Sequence, residues 1–271
     1  MSISSLSSWL PIRVWAALIL VGALGGCVSS GGYSNVPPEL QTASDDTEDR
    51  KRARTRVMLA ASYFQNGQTE VALDETKKAL RIDPSFSDAY TLAGLIYMAM
   101  GDQPLALSHF QRSISLNSRD ANAWHNLGWV QCQSGDFPAA MQSFQAALSV
   151  PTYRERAKTL MAQGVCEARS GDTAKAEATL LRSYELDAGS PLTGYNLAKL
   201  MYQRGEYTRA EFYVRRLNNS ELANAESLWL GIRVARKLDN QQGMEQLASQ
   251  LRRRFPESKE LGLYKRGAFD E

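Results

Sequence analysis

The chain predicts an all-α fold, a solenoid of about six helical hairpins, and three observations carry that prediction. Glycines recur at Gly67, Gly101, Gly135, Gly171 and Gly205, at intervals of 34, 34, 36 and 34 residues. Ahead of each turn a small residue recurs in phase, as Ala60, Gly94, Gly128, Gly164, Ala198 and Gly231. Behind each turn an alanine does the same, as Ala72, Ala106, Ala140, Ala176 and Ala210. Three independent positions in one register establish a repeated unit, and a unit of this length holds two short helices.

The stretch from Ala121 to Leu148 shows that unit in full. Trp124, Leu127 and Gly128 fall at one-turn spacing on a first helix, Gly135 breaks the pattern, and Ala140, Phe144 and Ala147 stripe a second helix at i, i+4, i+7. Gly128 lets the partner helix approach, Ala140 fills the facing position, and Phe144 is expected in the gap between this hairpin and the next. Two such helices cannot enclose their own apolar faces, so copies must stack on either side. The period, with Trp-x2-Leu-Gly and then Ala-x3-Phe, resembles the tetratricopeptide repeat (TPR), which implies a right-handed superhelix whose first helices line a concave face.

In chain order, residues 1–26 read as a lipoprotein signal peptide. Arg13 precedes an apolar run from Val14 to Leu24, too short to cross a bilayer core of about 30 Å as a helix. Leu24-Gly25-Gly26-Cys27 resembles a bacterial lipobox, which implies acylation at Cys27 and an anchor stronger than the two-signal threshold for stable membrane attachment. Val28, where many inner-membrane lipoproteins carry aspartate, favours the outer membrane by that resemblance, with the body facing the periplasm. Residues 27–49 read as a lipidated flexible tether, and a coil of about twenty residues spans on the order of 25 Å. The solenoid is expected over 50–260, with repeats at 53–86, 87–120, 121–154, 157–190, 191–219 and 224–256, and a tail over 261–271. Extra residues around Tyr153-Arg154-Glu155-Arg156 account for the 36-residue interval and should alter the stacking angle there. The sixth repeat lacks a turn glycine and is expected to act as the cap.

Composition excludes little by itself. The chain has 271 residues, 44% of them hydrophobic, and a formal net charge of +2, which falls to +1 if the leader with Arg13 is removed. Such a balance gives no electrostatic argument for nucleic acid. Arg50 to Arg56 and Arg252 to Arg254 are basic runs, read as a solvated helix start and as the cationic last turn of a helix. His109 and His125, the only histidines, belong to different helices, and neither stands beside a nucleophile or a glutamate at ligand spacing. The expectation is no catalytic constellation, no metal site, no cofactor beyond the lipid on Cys27 and no small-molecule substrate. Cys132 and Cys166 fall on first helices of adjacent repeats; the reading directs Cys132 to the groove and Cys166 to the core, so that a bond is not expected.

The function expected of such a stack lies on its concave face, as a trough for an amphipathic helix or apolar peptide tail. The groove residues are Val57, Ala61 and Phe64 from the first repeat, Leu95 and Met98 from the second, and His125, Trp129 and Cys132 from the third. The fifth adds Tyr195, Lys199 and Tyr202, and the sixth Leu228 and Ile232. Met98 and Trp129 are the expected anchors. The alternative is that Phe64, Leu95 and Trp129 simply pack on one another along a tightly wound superhelix. A carboxylate clamp of the kind some TPR proteins use is not expected, since Asn126 fits one slot but Ala61 stands where a second asparagine is needed.

The lipobox followed by Val28-Ser29-Ser30-Gly31, the six repeats, the Tyr153–Arg156 insertion and the run Leu228-Trp229-Leu230-Gly231-Ile232-Arg233-Val234-Ala235 together resemble the type IV pilus biogenesis and stability lipoproteins, the PilF/PilW family. That resemblance implies a pilotin: a non-enzymatic, outer-membrane lipoprotein that binds the pilus secretin and promotes its localisation and multimerisation. A general TPR adaptor for cell-wall and envelope enzymes is the alternative.

Overall fold

Every hairpin turns on a residue with positive φ. Gly67, Gly101, Gly135, Gly171 and Gly205 all adopt φ between 73° and 91°, a region that costs other residues a Cβ clash. The residue after each glycine donates its amide five positions back, as Asp136 does to the Gln131 carbonyl at 2.9 Å, closing the Schellman turn that satisfies the last free carbonyls of the first helix. In three turns an aspartate follows the glycine at once. Asp102, Asp136 and Asp172 then cap the second helix through their carboxylates, accepting from the amides of Leu105, Ala139 and Lys175. The sixth hairpin keeps the turn without glycine: Asp239, 34 residues after Gly205, takes φ 54°, and Asn240 supplies the cap.

The computed structural model describes residues 45–270, and all regular structure among them is helical. Six hairpins follow one another: α1 (Glu48–Gln65) with α2 (Thr69–Ile82), α3 (Ser87–Ala99) with α4 (Gln103–Leu116), and α5 (Ala121–Gln133) with α6 (Phe137–Ser149). Then come α7 (Arg156–Arg169) with α8 (Thr173–Leu186), α9 (Pro191–Gln203) with α10 (Tyr207–Asn218), and α11 (Ala225–Lys237) with α12 (Gln241–Arg254). Each second helix packs on the next first helix, and first helices of neighbouring repeats touch as well. The predicted leader, Cys27 and the tether as far as residue 44 lie outside the described residues. The predicted tether is too long at its far end, because Thr47 caps a helix that opens at Glu48. Among the described residues no helix is long and apolar enough to cross a membrane.

The small residues on the first helices are explained by what faces them. A Cβ built on Gly128 would stand 2.8 Å from the Phe144 ring, one on Gly94 2.6 Å from Phe110, and one on Gly164 2.7 Å from Leu180. Phe144 is therefore seated over Gly128 and lies between its own hairpin and the next, as the sequence reading expected, in a cluster with Ala162 and Cys166 of the fourth repeat.

Two further departures from the sequence reading affect the functional surfaces. The segment expected to be a tail contains a thirteenth helix, α13 (Lys259–Arg266), opened by Ser258 and closed by Gly267 at φ 67°. Its Leu261 and Leu263 bury against Leu228, Ile232 and Leu251 of the last hairpin. The second departure is Cys132–Cys166, which form a disulfide across α5 and α7 with Cα atoms 5.8 Å apart. The expectation that they diverge fails because Cys132 lies on the edge of α5 that abuts α7 and is fully buried there.

The basic run Arg50–Arg56 is consumed within the fold. Arg50 pairs with Asp83, Lys51 with Glu48, Arg52 with Asp49, Arg54 with Asp46 and Arg56 with Glu75. Each cation of the run faces a carboxylate, with Lys51 and Arg52 largely exposed, as in a solvated helix start. Glu75, buried, is held below the usual carboxylate range by Lys78 and then Arg56.

Candidate functional site

The predicted trough is divided by the structure into two clefts and a core. The first cleft, about 630 Å³, lies between α1, α3 and the loops that precede α5 and α7. Val57, Ala61, Leu92 and Leu95 make its apolar wall, and Asp88, Arg119, Arg154 and Glu155 supply charge of both signs. The insertion that lengthens the third interval therefore does more than change a stacking angle. Val150 and Thr152–Glu155 line this cleft.

A buried polar chain fixes the insertion. Tyr153 is only 8% exposed, and its hydroxyl lies 2.7 Å from the Thr159 hydroxyl, which in turn is 2.9 Å from His125 Nδ1. The arrangement is satisfied when Tyr153 donates to Thr159 and Thr159 donates to a neutral imidazole protonated on Nε2. Burial, with Lys158 adding to it, depresses His125 to a pKa of about 4 and so favours that neutral form. Burial also pushes the Tyr153 hydroxyl up. Arg156 completes the brace by donating to the Leu148 carbonyl at 2.6 Å.

The second cleft, about 420 Å³, lies between α9, α11 and α13, and holds Tyr195, Lys199 and Tyr202 of the predicted groove. Trp229, Leu230 and Leu263 form its apolar wall. Burial raises the Tyr195 hydroxyl, Glu226 and Glu260 raise it further, and Arg233 opposes them.

The remaining predicted groove residues fall in neither cleft. Phe64, Met98 and Trp129 are half-buried, and each packs on a different cluster of the repeat core. Four predictions are corrected outright. His125 is 7% exposed and bonded to Thr159, while Cys132 is closed in its disulfide, both at the α5–α7 contact. Leu228 and Ile232 are fully buried because α13 covers them. The sequence reading treated every first helix as having the same open positions, and that holds only where no neighbour or extra helix covers them. Arg233, Lys259, Glu260 and the insertion were missed as lining residues. Ser258 as a cap, Glu260 in the first turn, Lys265 and Arg266 in the last and Gly267 beyond them were the available signal for the helix that adds two of them.

No group of three or more His, Cys, Asp or Glu side chains could hold a metal among the described residues. The architecture offers surfaces for other chains, and comparison with known proteins agrees. A TPR repeat model matches residues 61–101, and a tetratricopeptide repeat model matches 91–158 and 126–191. Type IV pilus assembly protein PilF of Pseudomonas aeruginosa is 28% identical over 251 residues, covering 92% of this chain and 97% of the relative. This chain is a PilF/PilW-like tetratricopeptide-repeat protein. Two solved structures bear this out over the folded part of the PilF/PilW-like chain. That of Pseudomonas aeruginosa PilF superposes with a TM-score of 0.70 at 27% identity, covering 80% of this chain and 99% of that one. That of PilW, described as a widely conserved type IV pilus biogenesis factor, gives 0.73 at 27% identity, covering 79% and 98%.

Proposed function

We propose that the chain acts in type IV pilus biogenesis as an outer-membrane lipoprotein, held by acyl chains on Cys27, whose first cleft captures unassembled subunits of the pilus secretin. Relatives that are type IV pilus assembly proteins support the pilus role. The cleft supports capture: Val57, Ala61 and Leu95 present an apolar strip that no neighbouring helix covers, beside charges that would orient an amphipathic segment. Anchoring and capture act together. A receptor confined to the membrane surface raises the local concentration of captured subunits, which favours ring formation without any further contact.

The test separates the two parts. Leu95→Glu places a charge in the cleft wall at a half-buried position beside the Phe110 cluster, and with helix content unchanged by circular dichroism, secretin should no longer copurify with the chain. Retained copurification would remove the first cleft from the mechanism. Cys27→Ser should leave a folded but misplaced protein, with secretin multimers and pili reduced. Normal multimers and pili with that form would remove the anchoring step, and altered cell shape with normal pili would point to the cell-wall adaptor instead.

A further inference from the structure

The second cleft holds a charge that the fold does not use. Arg233 is half-buried, its Nε is shielded from solvent with no acceptor, and its guanidinium lies 4.8 Å from the centroid of the Tyr202 ring. Among the described residues it makes no ion pair, whereas Arg50, Arg54 and Arg56 of α1, and Arg204 and Arg209 around Glu177, each face a carboxylate. A shielded donor without an acceptor is unfavourable, more so when charged, and such groups in native proteins generally have a partner that completes them.

The surroundings define that partner. Lys199 and Lys259 line the cleft and add positive charge, while Glu226 and Glu260 also line it and oppose a ligand carrying two negative charges at one point. Trp229, Leu230 and Leu263, mostly buried, show only their edges to the cleft and give it a small apolar floor next to the guanidinium. We propose that the cleft between α9, α11 and α13 is a second recognition site, which takes an extended peptide segment through one aspartate or glutamate side chain set beside an apolar residue. The carboxylate accepts from Arg233, whose plane Tyr202 holds in place, and the apolar neighbour seats against Trp229 and Leu263. The site is separate from the first cleft and does not rest on the pilus role.

Fluorescence anisotropy on the purified chain tests it, with a labelled pentapeptide Ala-Phe-Asp-Phe-Ala blocked at both ends, so that only the side chain carries a carboxylate, and its asparagine counterpart. The aspartate peptide should bind about 10-fold or more tighter than the asparagine one, as expected for a hydrogen bond to a charged group. Arg233→Gln should erase the preference, Arg233→Lys should retain part of it, and Leu95→Glu should leave it unchanged. Should R233Q fail to fold, Tyr202→Leu, which removes the stacking face and keeps an apolar side chain against the core, should also weaken the preference. Equal affinity for the two peptides, an unchanged preference in R233Q or Y202L, loss of it in L95E, or no saturable binding of the aspartate peptide would each overturn the proposal.

Discussion

At the scale of the residue, the repeat is a set of size matches sixteen positions apart. Gly94, Gly128 and Gly164 stand opposite Phe110, Phe144 and Leu180, whereas Ala60 and Ala198 occur where the corresponding second-helix residues are the smaller Thr76 and Val214. The sequence pattern showed that a small residue was needed; only the facing side chain shows why it is glycine in some repeats and alanine in others. Gly128→Ala should therefore destabilise the chain by about 1–3 kcal/mol, because the new methyl overlaps the Phe144 ring in a packed core. Urea denaturation checks this, and an unchanged midpoint would contradict the match. His125 provides a second prediction. Its folded pKa of about 4 lies below the ordinary value of 6.5, so the unfolded chain binds the proton more readily. The neutral-imidazole contribution is fully present above the unfolded pKa and is lost as pH falls toward the folded one. Melting temperature should fall between about pH 6.5 and pH 4, with a loss on the order of 3 kcal/mol at the lower limit. In His125→Gln that part of the pH dependence should disappear; an identical profile in the variant would assign the loss to other groups.

At the scale of the element, what the sequence made legible was whatever repeats. The turn glycines, the paired stripes and the six hairpins follow from periodicity, and even the sixth turn, which has no glycine, kept its place in the register through Asp239. What was not legible is what a feature that occurs once will touch. The insertion at Tyr153 was visible as extra length but not as a cleft wall tied through Thr159 to His125, and the disulfide and α13 likewise have no in-phase copies and depend on contacts with elements distant in sequence. Ending the chain at Ser258 would uncover Leu228, Ile232 and Leu251, and this should cost at least about 3 kcal/mol and expose apolar surface that binds a hydrophobic dye. A truncated chain as stable as the full one would show that α13 covers nothing of consequence. The disulfide closes a loop of 34 residues, so replacing Cys166 with alanine should lower stability by about 3–4 kcal/mol. Comparing melts with and without reductant checks this, since the variant should be insensitive to reductant and the parent sensitive.

At the scale of the whole molecule, stacked hairpins leave the first helices as the natural binding surface, but the structure limits where that surface is open. Neighbour contact closes it at the α5–α7 junction, and α13 closes it over part of α11. Two of the clefts that stay open differ in chemistry, one with an apolar wall and mixed charge at the first repeats and one with an unmatched arginine near the last. A chain with two such clefts can hold one partner at two points or two partners at once, and the first cleft is the one proposed to take the secretin. The most direct measurement is a photo-crosslinking amino acid placed at Leu95 in producing cells. The account predicts an adduct with the pilus secretin that is absent when the same group is placed at Phe212, which is 59% exposed and distant from the cleft. No secretin adduct at Leu95, or equal adducts at the two positions, would contradict it.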